Sequence, residues 1–345
     1  MRLQGRCIGR IVELRLPGPV VAGIAAIAVS ISLTPWSGAA GQQPPVPPAP
    51  PAAAPPAPAQ APTRQRLPAP IEVGGSDLLT KDGVQIRATF YPSTLGKEAV
   101  PVILLHGWKG SRRDFARLAP VLQAAGHAVL VPDLRGHGDS TQRMAGGSTV
   151  TITVDRMPPA EVARMVQFDL ETCKAFLKQK HNAGELNIEK LSLIGLDVGA
   201  TVALDWARLD WSWPIYPGLK QGQDVKALVL ISPRWSVPGL SVQAALNHPG
   251  VRQQISVYII VGQESSRDSG DAQRIYNLLA RFHREPDPGQ TVEGQDLFFV
   301  KFATSLQGRE LMARFEQPIF DSILSFLDDR AAQLPVPWQE RTGRK

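Results

Sequence analysis

The chain has 345 residues, of which 43% are hydrophobic and 20% charged. That length suits one large domain or two small ones, and that apolar content can fill a sizeable core. The formal net charge is +6, but Arg2, Arg6, Arg10 and Arg15 against Glu13 put +3 of it into the first forty residues. The +3 left for the rest is too weak to argue for a nucleic-acid partner.

The N-terminus has the order of a targeting segment. Four arginines precede an apolar run over 20–33, and the small residues Ser37, Gly38, Ala39 and Ala40 follow. The run is shorter than the ~20 residues that cross a bilayer. Residues 1–40 therefore read as a signal peptide cut near Ala40, which sends the protein to the periplasm or the medium. The alternative is an uncleaved anchor, and this segment is the only membrane contact expected. Residues 41–70 are mostly Pro, Ala and Gln. They read as an extended spacer. The folded domain is expected over 71–335, with a basic tail over 336–345. The cysteines are Cys7 and Cys173, so no internal disulfide is expected after export. Cys173 shares an apolar helical face with Val162, Met165, Val166, Phe176 and Leu177 and reads as a core residue.

Strands over 78–80 and 84–91 are predicted to flank a hairpin turn at Asp82-Gly83. The run 100–105 is nearly all apolar, as in a strand buried on both faces. A helix follows over 112–125, with a kink expected at Pro120. Then come a strand over 127–132, a long amphipathic helix over 160–180, a strand over 191–196 and a helix over 199–209. The remaining strands are 225–232, 255–261 and 297–303, with helices over 271–282 and 318–328. Eight strands alternating with helices predict a mostly parallel α/β sheet with helices on both faces and antiparallel strands at one edge.

Three segments carry candidate chemistry, each at the end of a predicted strand. They are His106-Gly107-Trp108-Lys109-Gly110-Ser111, Asp133-Leu134-Arg135-Gly136-His137-Gly138-Asp139, and Gly195-Leu196-Asp197-Val198-Gly199. Together they resemble the α/β-hydrolase superfamily, over roughly residues 75–330. The third matches the G-x-S-x-G elbow with aspartate for serine. The resemblance implies an α/β-hydrolase fold with an eight-stranded sheet. It also implies an oxyanion hole from the amides of Trp108 and Val198, and Asp197 in the nucleophile position. An aspartate there can attack through an ester intermediate, as in the haloalkane dehalogenases and epoxide hydrolases that this elbow resembles.

The sequence departs from that pattern in four places. The family's histidine follows the last strand, where this chain has Gln307-Gly308, and glutamine is not a base. The acid follows the strand 255–261, where family spacing falls on Ser265; Glu264 or Asp268 could substitute. Only residues 233–254 separate two strands where those enzymes insert a cap domain, so a short lid is expected. Val198 stands where they commonly have tryptophan. His283, His106, His137 and His248 fall outside the expected base position. Trp206 reads as core, whereas Trp211 and Trp213 fit either packing or a binding surface. No metal-ligand cluster or nucleotide-binding loop is found, and no cofactor is expected; a small-molecule ligand stays open. Two readings follow: a degenerate hydrolase fold used for binding or structure, or a hydrolase of esters or related substrates using Asp197.

Overall fold

In Pro101–Leu105 (strand β3) every residue is buried, yet successive side chains enter different cores. Val102 and Leu104 pack in one cluster, and Ile103 and Leu105 in the other. This is the period-two alternation of a strand covered on both faces. The computed structural model describes residues 12–14, 66–283 and 295–341. The central sheet runs, from one edge, Ile71–Val73 (β1), Arg87–Tyr91 (β2), Ala128–Asp133 (β4), β3, Leu191–Leu196 (β5), Val225–Ile231 (β6), Ser256–Gly262 (β7) and Leu297–Phe302 (β8). Pairing is parallel except that β2 is antiparallel to both β1 and β4. A ninth short strand, Val12–Leu14, lies parallel to β8 with Val12 opposite Val300. It falls inside the stretch read as a signal peptide. The rest of that stretch, and the spacer up to residue 65, lie outside the described residues.

One face of the sheet is covered by Pro159–Arg164 (α2), Leu170–Asn182 (α3), Val198–Trp211 (α4) and Ser266–Leu279 (α7). The other is covered by Leu118–Ala124 (α1), Gly308–Arg314 (α8) and Glu316–Leu327 (α9). Cys173 and Trp206 are fully buried between α3 and α4, and burial pushes the Cys173 thiol well above its ordinary range. The Trp206 indole donates to Glu171 at 2.8 Å.

Several predicted elements take a different form. The segment 78–80 is not a sheet strand. Gly75–Leu78 is a 3-10 turn, and Leu79 makes only a bridge to Gln85 across the Asp82-Gly83 turn. The sheet edge is β1 instead, whose exposed residues gave a weak hydrophobic signal. The helix at 112–125 splits into a 3-10 turn, Arg112–Phe115, and α1; Pro120 sits in the first turn of α1, where its missing N–H breaks nothing. The helix at 160–180 passes through a five-residue π turn, Met165–Asp169. A hairpin, Gln142–Ala145 with Ser148–Thr151, turns on Gly146-Gly147, both with positive φ. Residues 336–341 of the expected tail are docked. His181 contacts the Gln339 carbonyl through Nε2 at 2.7 Å, and Arg341 pairs with Asp224 and Glu189.

Arg135 is the largest buried charge, fully covered, and pairs with Asp169, Asp82 and Glu161. It ties the Asp82 turn to α2 and to the π turn. Burial pushes the Asp169 carboxyl up to about 6, with Arg135 opposing the rise. Removing one partner of a buried ion cluster leaves uncompensated charge, at a cost of about 3–5 kcal/mol. Arg135→Met is expected to lower stability by that order in urea denaturation. Without Arg135 the Asp169 pKa rises further, so the deficit should be larger at pH 8 than at pH 5.

Candidate active site

The order of strands reverses direction at β3, which lies between β4 and β5. Ligand crevices of open α/β sheets form at such a switch point, at the carboxyl ends of the strands. Asp197 stands there, between β5 and α4, with φ 49° and ψ −114°. A non-glycine residue in that region carries roughly 1–3 kcal/mol of strain, held by its surroundings. The surroundings are tight. A Cβ on Gly195 would collide with the Ala200 backbone, and one on Gly199 with the carbonyls of Leu105 and His106. The Asp197 amide donates to the Ile231 carbonyl at 2.9 Å, locking the turn to β6.

The loop after β3 lies against this turn. A Cβ on Gly107 would stand 3.3 Å from Asp197 Cβ. Among the described residues, neither the Trp108 amide nor the Val198 amide, at the first position of α4, donates a hydrogen bond. They remain free donors beside Asp197. The chain after β8 reaches the same place, because a Cβ on Gly308 would stand 3.7 Å from Asp197 Cβ. Gln307 is otherwise engaged. Its Oε1 accepts from Ser232 Oγ at 2.7 Å and from the Gly262 amide at 3.3 Å, and its Nε2 donates to the Gly262 carbonyl at 2.8 Å. It clips together the ends of β6, β7 and β8.

The partner of Asp197 is a residue the sequence reading passed over. Arg234 Nε donates to Asp197 Oδ1 at 2.6 Å, and Arg234 Nη1 stands 3.3 Å from Asp268 Oδ1. Burial works against the Arg234 charge, but bonding to Asp197 and attraction from Asp197, Asp268 and Asp271 outweigh it and raise its pKa. Thr201 Oγ1 on α4 donates to the Arg234 carbonyl at 3.0 Å and holds its backbone in place. The available signal was position: a cation just past β6, beside the elbow strand. Arg234 begins the short lid. That lid is a two-residue hairpin, Ser236–Val237 with Leu240–Ser241, followed by Gln243–Asn247 (α5) and Pro249–Gln254 (α6).

The acid candidates separate. Asp268 is buried and joins the Arg234 network, also accepting from Ser265 Oγ at 2.5 Å. Glu264 is exposed and contributes its backbone amide to the Thr304 carbonyl. His283 pairs with Asp296 at 2.8 Å, just before β8 begins and so at the opposite end of the sheet from Asp197. His248 caps α6. His106 is buried; its Nε2 accepts from the Leu134 amide at 3.0 Å, so its Nδ1 carries the proton given to the Gly107 carbonyl. His137 packs against it at 4.9 Å and against Trp108 at 5.3 Å. Its Nε2 has no hydrogen-bond partner among the described residues. Trp211 bonds the Val225 carbonyl, and Trp213 is exposed.

The His106 and His137 imidazoles are held neutral. Burial lowers both pKa values, and repulsion from His106 adds to the drop that brings His137 to about 4. An unfolded histidine protonates near 6.5. The folded value is lower, so this contribution to stability is complete above pH 6.5 and is lost as pH falls toward 4. Each proton taken up on unfolding costs about 1.4 kcal/mol per pH unit. Urea midpoints are expected to fall between pH 6.5 and 5, and His137→Gln should flatten that slope.

A family model described as alpha/beta hydrolase fold matches residues 100–256. A soluble epoxide hydrolase from a Corynebacterium species is 32% identical over 107 residues, covering 31% of this chain and 29% of the enzyme. The chain thus matches less than a third of that relative's length. Among solved structures, an esterase from Pyrococcus furiosus superposes with a TM-score of 0.54 at 16% identity, over 76% of this chain and 92% of the esterase. A dienelactone hydrolase from Anabaena variabilis gives 0.51 at 15%, over 76% and 99%. The family match and the sheet order give this chain an α/β-hydrolase fold, with the Gly195–Gly199 turn at the elbow position.

Proposed function

We propose that this protein is an exported member of the superfamily in which the hydrolase site is catalytically degenerate and serves binding or structure. The observation that carries the reading is the Arg234–Asp197 pair, 2.6 Å between Nε and Oδ1. A carboxylate attacks with a lone pair, and a bound guanidinium stabilises the unreacted anion. The second support is Gln307, whose amide is spent on Ser232 and Gly262 and cannot take a proton from water. General-base assistance is worth about 10²–10⁴-fold.

A second reading is a hydrolase of esters or related substrates with Asp197 as nucleophile. It is favoured by the local similarity to the epoxide hydrolase. The two differ in whether a covalent ester forms on Asp197. The purified protein is expected to hydrolyse short-chain esters and epoxides no faster than its Asp197→Ala variant, with no adduct mass on the peptide carrying Asp197. Turnover that vanishes in Asp197→Ala would overturn the degenerate reading.

Export is proposed from the arginine, apolar and small-residue order at 1–40, with an uncleaved anchor as the alternative, and residues 41–70 as the spacer. Among the described residues no helix is long and apolar enough to cross a membrane, but the apolar run at 20–33 lies outside them. N-terminal sequencing of protein recovered from cells is expected to begin near Gly41; a soluble cytoplasmic pool with intact Met1 would count against export.

A further inference from the structure

Beside the lid lies a cavity of about 560 Å³, between α5 and the outward face of α7. It is separate from the Asp197 turn, although Trp235 in its wall follows Arg234 directly. Its lining includes Trp235, Gln243 and Asn247 from the lid, and Arg274, Asn277 and Arg281 from α7 and its end. Arg274 and Asn277 share one face of α7, and Arg281 follows just past its end.

Among the described residues the wall carries two arginines and no acid. Among the described residues, neither Arg274 nor Arg281 makes an ion pair or a side-chain hydrogen bond. Arg274 Cζ lies over the Trp235 ring, 3.5 Å from its centroid. A cation–π contact holds the guanidinium over the ring without using its N–H groups, which stay available to an acceptor. Trp235 is itself fixed, its amide donating to Asp271 at 3.0 Å. Asn277 accepts from Gln273 at 2.8 Å through Oδ1, which leaves its Nδ2 as a donor between the arginines. Gln243 and Asn247 face it with side-chain amides that make no hydrogen bond among the described residues. Arg274, Asn277 and Arg281 are exposed, so the cavity is open along one side, as a groove is.

We infer that this groove binds an acidic oligosaccharide. Two spaced, unpaired guanidiniums call for repeated carboxylates. Amides that both donate and accept, on the facing walls, match hydroxyl groups between those carboxylates. An open side admits a chain longer than the cavity. The site does not depend on whether Asp197 turns over.

Titration calorimetry of the full chain with tri-galacturonate tests it, with maltotriose and a hexaglutamate peptide as comparators. Tri-galacturonate is expected to bind, more weakly as salt rises, and neutral maltotriose to bind at least about tenfold more weakly. Arg274→Gln and Arg281→Gln should each weaken tri-galacturonate by about tenfold or more, as the loss of a charged hydrogen bond does, whereas Asp197→Ala should leave it unchanged. Both arginine side chains are exposed, so folding of these variants can be checked by an unshifted urea midpoint. No heat with tri-galacturonate at millimolar concentration would overturn the proposal. Equal affinity for maltotriose, tighter binding of the peptide, or affinity indifferent to both arginine substitutions would do so as well. Ester and epoxide turnover is read separately, so failure here leaves the degenerate reading standing, and the reverse.

Discussion

The strained turn at Asp197 is the constraint around which the sheet's carboxyl end is built. Its positive φ persists because three neighbours leave it no alternative: Ala200 against Gly195, the carbonyls of Leu105 and His106 against Gly199, and the Ile231 carbonyl on the Asp197 amide. In a serine hydrolase such strain presents a nucleophile. Here it presents a carboxylate at the start of a fourteen-residue helix, where the helix dipole already favours negative charge. A guanidinium then closes over it. The turn geometry is retained, while the charge it displays is answered from within the chain.

That substitution redistributes the work of the surrounding loops. Where a catalytic histidine would swing toward the elbow, Gln307 instead ties Ser232 to Gly262, so the ends of three adjacent strands share one amide. Where an acid would orient that histidine, Ser265 caps α7 and leaves Asp268 to face Arg234. At Gln307 and Ser265 the departure from the hydrolase pattern makes hydrogen bonds that stabilise the folded chain. None of them needs a substrate to be satisfied.

Much of the fold was legible in the sequence because buried parallel strands are continuous apolar runs. The segments 100–105, 191–196 and 225–232 correspond closely to β3, β5 and β6. The edge was harder to read. In β1 two of three residues are exposed, and 78–80 had the stronger apolar pattern but is drawn into a 3-10 turn and a single bridge. The hairpin on Gly146-Gly147 carries a local turn signal, but its arms are short, largely exposed and separate from the main sheet, so they lack the apolar run of a core strand. At the site, motif spacing located Asp197, Gly107 and Gln307 together. Arg234 could not be read the same way: an ion pair across thirty-seven residues has no local pattern, and only the order of strands brings the two together.

The short strand Val12–Leu14 has a consequence for the sheet's last edge. It is parallel to β8 and covers the backbone of Val300, Lys301 and Phe302. If the leader is removed on export, those residues become a bare ladder of N–H and C=O groups, the kind of edge on which another chain can add a strand. The sequence of β8 already carries a deterrent there. Lys301 is the next-to-last residue of the strand, its ammonium held to Gln273 at 2.7 Å and set 4.9 Å from the Phe299 ring. A cation on an otherwise apolar edge discourages strand addition there. Maturation would thus uncover a potential polymerisation surface and a built-in guard against its use in the same step.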